Sequence, residues 1–160
     1  MAQPMRGSES IHIDAPPEAV WNLVSDITRM GEWSPETQTA AWTRGSSGPE
    51  VGATFAGRNQ HGWTRWTGRC DVTVAEPGRK FAFVRRGPDG GATWSYSLEP
   101  EDGGTKVTEA FSQARAPLLP LRIVNRMVFG PNREQMLLAG VRSTLQQLKL
   151  KAETQETPSS

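Results

Sequence analysis

The most regular hydrophobic pattern in the chain lies between residues 121 and 151 and predicts a long C-terminal helix. Apolar residues recur there at spacings of four, four and three positions, namely Leu137, Val141, Leu145 and Leu148. This spacing places them on one face of a helix, while polar residues occupy the other faces. An amphipathic helix of this length needs a partner surface that covers its apolar face.

The first half of this helix contains a signal that interrupts it. Pro131 has no backbone N–H to donate, and in a continuous helix its ring would crowd the carbonyl of Met127. Gly130 stands directly before it. We therefore expect a kink or a break at this point, with the apolar segment 118–129 ahead of it.

Before residue 115 the chain consists mainly of short stretches in which apolar and polar residues alternate, a pattern that predicts strands. The predicted strands cover residues 8–14, 37–44, 53–60, 63–75, 80–86, 92–99 and 105–113. Short turns, such as the one at 87–91, separate the later strands and favour antiparallel neighbours. The longest strand shows the alternation most clearly. Its apolar face carries Trp66, Gly68, Cys70, Val72 and Val74.

Two short helices are expected between the first two strands. Pro16 and Pro17 fit a helix start, because proline is tolerated in the first helical turn. An apolar stripe over 20–27 follows, and Gly31 marks the end. The chain is therefore predicted to be an α+β protein with a curved antiparallel sheet of about seven strands around the long C-terminal helix. One helix cannot fill such a sheet, so we expect a cavity between them.

Composition and charge exclude several partners. The 18 Lys and Arg residues balance 17 Asp and Glu residues, giving a formal net charge of +1 without any block of like charge, so nucleic acid is not an expected partner. The length of 160 residues suits one domain, expected over 8–151, with flexible termini at 1–7 and 152–160. We see the pattern of neither a leader peptide nor a membrane span and expect a cytoplasmic protein.

Metal and cofactor chemistry is not expected from the sequence. No group of His, Cys and carboxylate residues has metal-ligand spacing, and no glycine-rich loop opens a helix as phosphate-binding loops do. The single cysteine, Cys70, cannot form an internal disulfide and is expected to pack as a small hydrophobic side chain.

Several runs of residues resemble a known superfamily. Residues 13–21, followed by Asp26, Trp33 and Pro35, resemble the opening of START-like (SRPBCC) proteins, the superfamily of polyketide cyclases/dehydrases and lipid-transport proteins. The chain resembles the bacterial branch of this superfamily at residues 51–55, Trp66, Cys70, 76–78, Phe81, Phe83, Trp94 and 104–109. The resemblance covers about residues 8–150 and implies a helix-grip fold around an apolar ligand cavity. It implies no catalytic residues, because the activities within the superfamily differ and share no fixed motif.

The side chains on the concave face of the predicted sheet are the candidate ligand-binding residues. They are Phe55, Asn59, Trp66, Phe81, Phe83, Arg85, Trp94, Tyr96 and Phe111 from the strands, and Met127 and Val128 from the helical segment. Each ring could simply fill the core, but the set carries more ring area than one helix covers, which favours a partly open cavity. Arg85 would bind an anionic ligand group or pair with Glu109.

Three residues are candidates for proton transfer. Glu109 falls between Val107 and Phe111 on the predicted cavity face, where burial would raise its pKa and make it a candidate general acid or base. It could equally pair with Arg85 or lie in water at the open end of the sheet. Tyr96 and the turn residue His61 are the other candidates, although turn residues are usually just solvated.

Three functions remain open on this basis. The first is the binding or transport of a small hydrophobic ligand, such as a lipid, a polyketide-like molecule or an aromatic compound. The second is a cyclase or dehydratase that uses a carboxylate in the cavity. The third is a regulatory module with a closed cavity that docks a protein partner. Segment 118–129, with Arg122 and Arg126 one turn apart, is either an ordinary half-helix, a gate, or a site of transient membrane contact.

Overall fold

The computed structural model describes residues 3–87 and 91–156. Seven strands make one sheet: β1 (Arg6–Ile13), β2 (Thr37–Thr43), β3 (Thr54–His61), β4 (Thr64–Glu76), β5 (Lys80–Arg86), β6 (Ala92–Glu101) and β7 (Gly104–Gln113). The helices are α1 (Pro17–Val24), a 3-10 helix (Ile27–Glu32), α2 (Leu119–Phe129) and α3 (Arg133–Glu156). This arrangement is the predicted helix-grip fold, with short helices after the first strand and a long helix at the C-terminus.

The sheet is antiparallel throughout, and its strand order is β1-β7-β6-β5-β4-β3-β2. Strands β2 to β7 follow one another as neighbours, while β1 crosses to pair with β7. The crossover contains α1 and the 3-10 helix, so these two helices are carried across one face of the sheet. Its curved concave face holds the core, the helices α1 and α3 and the cavity described below.

The apolar face predicted for the C-terminal helix is confirmed in α3. Val141, Leu145 and Leu148 are buried, and Ala152 extends the same stripe by one turn. Leu137, one turn earlier, is only partly buried and packs at the edge of the core. The second half of α3 therefore packs more closely against the sheet than the first half does.

The break predicted at Gly130 and Pro131 is present. Helix α2 ends at Phe129 and α3 begins at Arg133, so the segment predicted as one helix over 121–151 is two. Gly130 has a φ of 81°, a conformation that side-chain-bearing residues adopt only at a cost. The glycine thus permits the sharp change of direction that Pro131 enforces.

Two local differences separate the structure from the sequence pattern. The pairing of β4 with β5 shifts between Val72 and Val74, so the face of β4 changes at this bulge. Ala75, and not Val74 as predicted, packs against the core as a result.

Ordered elements also extend beyond the expected domain limits, because Arg6 and Gly7 pair with β7 and Ala152 lies in the core. Residues 1–2, residues 157–160 and most of the predicted turn at 87–91 lie outside the described residues.

Across residues 3–87 and 91–156, no helix combines the length and the apolar character needed to cross a lipid bilayer.

Candidate ligand-binding cavity

A cavity of about 510 Å³ lies between the concave face of the sheet and the pair formed by α2 and the first half of α3. Apolar atoms make up most of its wall. Three glycines line the cavity. Gly57 and Gly68 lie on the sheet as direct partners in the β3–β4 register, and Gly140 lies on α3. A Cβ atom at Gly57 would come no closer than 3.6 Å to its neighbours, whereas one at Gly68 would lie 3.2 Å from Asn59 and one at Gly140 would lie 3.3 Å from Pro35. The missing side chain therefore leaves free space at Gly57 and allows close packing at the other two positions.

Most of the side chains predicted to face a ligand do line this cavity. They are Phe55, Asn59, Trp66, Phe83, Arg85, Trp94, Tyr96, Phe111 and Val128. Neighbouring rings meet edge to face or at a tilt: the Phe55 and Phe83 centroids are 5.0 Å apart, and those of Trp94 and Phe111 are 5.2 Å apart. Pairs of this kind give a fixed apolar wall.

Phe81, Met127 and His61 do not line the cavity, in contrast to the sequence-based expectation. Phe81 is fully buried in the core, because α1 covers its end of the sheet and the Trp21 indole N–H donates to the Lys80 carbonyl at 3.4 Å. Met127 points outward and is 81% exposed. It differs from its neighbour Val128 because successive helical residues point about 100° apart.

His61 lies in the β3–β4 hairpin and contacts the outside of the cavity wall. Its ring centroid is 5.1 Å from that of Phe129, the last residue of α2. In this position His61 supports the end of α2 and does not reach the cavity as a proton-transfer group would.

The wall contains one buried acidic pair, formed by Glu109 on β7 and Tyr96 on β6. The two residues are direct partners in the strand register, and the Tyr96 hydroxyl donates to Glu109 Oε1 at 3.1 Å. Both side chains are almost completely buried. The carboxyl therefore neither lies in water nor pairs with Arg85, the two alternatives that the sequence left open.

Burial controls the ionisation of this pair. Loss of solvation raises the pKa of Glu109 to about 8, although the hydrogen bond from Tyr96 acts in the opposite direction. Burial also raises the pKa of Tyr96 well above its ordinary value, and the neighbouring Glu109 adds to this effect. Near neutral pH the pair is thus a carboxylic acid beside a phenol. Such a pair can donate a hydrogen bond or transfer a proton.

The wall also includes Cys70, which behaves as expected for a small hydrophobic side chain. It is 8% exposed, and burial raises the pKa of its thiol to about 12. A thiol in this state is not a nucleophile at neutral pH.

The junction of α2 and α3 is held by an entrance cluster that the sequence did not predict, consisting of Glu36, His61, Trp66, Phe129 and Arg133. The Phe129 and Trp66 ring centroids are 5.5 Å apart, and the Arg133 guanidinium lies 3.8 Å from the Phe129 centroid. Arg133 also forms a two-point ion pair with Glu36, the residue directly before β2. Only the fold reveals this pairing, because 97 positions separate the two charges in the sequence.

Helix α2 closes the cavity without becoming part of the core. None of its residues is buried, although Leu121, Val124 and Val128 line the cavity. On its outer side, Leu119 and Ile123 are more than half exposed, as is Met127. The helix therefore carries two apolar sides, one toward the cavity and one toward solvent.

Comparison with known families identifies the family of this chain. The family model described as polyketide cyclase / dehydrase and lipid transport matches residues 5–153. The chain belongs to this family. A comparison with functionally curated proteins gives no significant match.

Solved structures share the fold of this polyketide cyclase/dehydrase and lipid-transport family member. A Polyketide_cyc-like protein from Corynebacterium glutamicum is 33% identical with a TM-score of 0.66, and the alignment covers 97% of this chain and 95% of that one. The di-domain aromatase/cyclase StfQ of the steffimycin biosynthetic pathway is 13% identical with a TM-score of 0.75, covering 96% of this chain but 52% of StfQ. Ara h 8.0201 is also 13% identical, with a TM-score of 0.66 and coverage of 94% and 99%. The last two show a common fold alone.

Proposed function

We propose that this family member binds a small hydrophobic ligand in the cavity between the sheet and the helices α2 and α3. The observation that carries the proposal is the apolar cavity of about 510 Å³ in an otherwise well-packed domain. Ligand pockets typically have volumes of roughly 300–1,000 Å³ and mainly apolar walls. A molecule with one to three rings, or an acyl chain of similar bulk, suits this space.

Helix α2 is the proposed gate. It has no buried residue, and it is flanked by the Gly130 break on one side and by the loop after β7 on the other. The entrance cluster around Phe129 fixes its C-terminal end. Movement of the rest of α2 away from α3 would open the cavity without disturbing the core.

The outer side of α2 supports transient contact with a membrane while ligand is loaded. Its exposed apolar row lies beside Arg122 and Arg126, a combination that favours anionic lipid surfaces. Trp63 is fully exposed at the tip of the β3–β4 hairpin, next to His61, which contacts the end of α2. Tryptophan is favoured at the membrane–water interface.

A cyclase or dehydratase is the second candidate function, and the Glu109–Tyr96 pair is the observation that favours it. A carboxyl whose pKa is about 8 can both donate and accept a proton near neutral pH. Under this alternative, Glu109→Gln would retain ligand affinity but lose turnover. A carrier would show no turnover to lose. The third hypothesis, a regulatory module, needs a cavity filled by the protein's own side chains and has less support, because about 510 Å³ of this cavity is unfilled.

The test is a search for a bound ligand, followed by a binding titration. Native mass spectrometry of the purified protein, with organic extraction of any adduct, identifies a molecule that co-purifies. The neutral fluorescent probe N-phenylnaphthylamine then measures the affinity of the emptied cavity. We expect saturable binding and displacement by hydrophobic competitors. Absence of both an adduct and saturable probe binding would contradict the proposal.

A further inference from the structure

One polar atom in the cavity wall has no partner. Among the residues that the structure describes, Glu109 Oε2 is buried and receives or donates no hydrogen bond, while Oε1 is bonded to Tyr96. Buried polar atoms are nearly always paired, so an unpaired one marks a site where a partner is missing. Because Glu109 lines the cavity, that partner would be a group of the bound molecule.

We propose that Glu109 acts as a neutral carboxylic acid whose Oε2–H group binds an uncharged oxygen of the ligand, a ketone or ester carbonyl attached to an apolar body. This inference rests on the proposed hydrophobic-ligand function and specifies the polar group of that ligand.

The hydrogen bond from Tyr96 decides where the proton lies. A hydroxyl that donates to Oε1 uses that oxygen as an acceptor, so the proton of the neutral acid belongs on Oε2. Oε2 is then a hydrogen-bond donor. The ligand group opposite it must be an acceptor that carries no O–H or N–H, because such a proton would need a further partner. A carbonyl oxygen meets this requirement in a dry, apolar site.

The surroundings select the apolar body of the same molecule. Trp94 and Phe111 are register partners two residues from Tyr96 and Glu109, and their rings lie on the same cavity face. A ring attached to the carbonyl would contact this pair. A cationic amine would require Glu109 to ionise in an apolar environment, which burial disfavours.

Ionisation of Glu109 should therefore weaken the binding of a carbonyl ligand. The other charged or titratable groups that line the cavity are Tyr96 on β6, Arg85 on β5, Cys70 on β4, and Arg133 of α3 with its ion-pair partner Glu36. Glu9 on β1 is the register partner of Glu109 and forms an ion pair with Arg142 of α3. Burial remains the largest influence on the carboxyl and raises its pKa to about 8. A carboxylate has no proton to donate and repels a carbonyl oxygen.

Four naphthalene probes of similar size test the proposal through displacement of N-phenylnaphthylamine. They are methyl naphthyl ketone, isopropenylnaphthalene, which has the same shape without the oxygen, the anion naphthoate and the cation naphthylmethylamine. At about pH 6, we expect the ketone to bind about three- to tenfold more tightly than the hydrocarbon, the range of one hydrogen bond. At about pH 9.5, above the pKa of Glu109, this advantage should disappear.

Two variants separate hydrogen bonding from packing. In Glu109→Gln the amide oxygen can accept from Tyr96 and the amide N–H₂ can donate to the ligand, so the preference for the ketone should persist at both pH values. In Glu109→Leu the donor is gone, and the preference should be absent at both. The conservative Gln variant keeps the test valid if the Leu variant folds poorly.

Equal affinity of the ketone and the hydrocarbon for the unmodified protein at about pH 6 would overturn this inference but leave hydrophobic-ligand binding intact. It would mean that water satisfies Oε2. Preference for naphthoate, or for naphthylmethylamine as a cationic probe, would also overturn it. If none of the probes, N-phenylnaphthylamine included, binds in a saturable manner, the proposed function itself fails.

Discussion

The two ends of the sheet differ in how completely their concave face is covered. At the packed end, α1 and the second half of α3 cover the sheet, and Val20, Phe81, Leu145 and Leu148 are inaccessible to solvent. At the cavity end, α2 and the first half of α3 enclose about 510 Å³ of open space. Both ends share the strands β4 to β7, so the sheet alone does not determine whether a core or a cavity forms.

Side-chain volume and helix packing explain the difference. The packed end has large apolar residues facing one another from α1, α3 and the sheet. The cavity end has Gly57 and Gly68 opposite each other on the sheet and Gly140 on α3, while α2 buries none of its residues. The fold thus obtains its stability at one end and keeps ligand space at the other.

The largest effect is expected from Leu145→Ala at the packed end. Removal of this buried side chain should lower the free energy of unfolding by about 2–5 kcal/mol, through lost burial and the cavity left behind. Leu137→Ala, on the same helix but at the edge of the existing cavity, is the matched control and should cost about 1 kcal/mol. Urea denaturation measures both values. Equal losses would show that the two ends are packed alike.

Filling the cavity should reduce binding while leaving stability nearly unchanged. A Cβ atom at Gly57 would come no closer than 3.6 Å to its neighbours, so Gly57→Leu fits the strand and projects into the open space. Affinity for N-phenylnaphthylamine should fall at least about tenfold, equivalent to ~1.4 kcal/mol. Gly48→Leu is the control, because no atom lies within 4 Å of its Cβ position in a loop away from the cavity. Undiminished affinity in Gly57→Leu would place the probe elsewhere.

Stability should depend on pH through Glu109. Its pKa is about 8 in the folded protein and 4.5 ordinarily, so between these values the folded state binds more protons than the unfolded state. The contribution of Glu109 is therefore fully present at low pH and is lost as pH rises through about 8. As the pH is raised from about 4.5 to about 8, the melting temperature should fall by several degrees more in the unmodified protein than in Glu109→Gln.

His12 does not disturb this comparison. Hydrogen bonds to Glu101 and Asp14 raise its pKa, so its contribution is also lost on going to higher pH. It is present in both proteins and cancels in the difference between them. Parallel pH curves for the unmodified protein and Glu109→Gln would contradict the assignment of a buried neutral acid.

Contact with membranes should depend on the outer side of α2. Met127→Glu places a negative charge in the exposed apolar row and should reduce binding to vesicles containing phosphatidylglycerol by about fivefold. Leu150→Glu, at an exposed position on α3, is the matched control and should have little effect. Vesicle co-sedimentation measures both. Equal losses in the two variants would argue against a specific role of α2.

The smallest effect is expected from Phe129→Ala in the entrance cluster. Loss of its contacts with Trp66, His61 and Arg133 should loosen the end of α2 and speed probe release by roughly threefold. Stopped-flow dilution measures the rate. Met127→Ala removes a neighbouring side chain that points to solvent and serves as the control. Identical release rates in the two variants would remove the support for α2 as a gate.

The sequence predicted the features that depend on local patterns. Alternation identified the strands and the inward position of Glu109, and helical spacing identified the buried face of α3. The break after Phe129 followed from the chemistry of Pro131. Each of these depends on residues only a few positions apart.

Features that depend on distant residues could not be predicted in the same way. Phe81 and Phe83 share a face of β5, but the position of α1 makes Phe81 a core residue and leaves Phe83 at the cavity. The bulge in β4 reverses the faces after Val72, which alternation cannot anticipate. Tyr96 was identified as a separate candidate, yet its role as the partner of Glu109 required the strand register.

The most direct test of the central claim is an NMR titration of the labelled protein with methyl naphthyl ketone. If the cavity end binds ligand, chemical shifts should change for the Trp66 and Trp94 indoles and the Gly57, Gly68 and Gly140 amides. Signals at the packed end, such as those of Val20 and Leu148, should remain unchanged. Shifts centred on the packed end, or none on saturation with the ketone, would contradict the account.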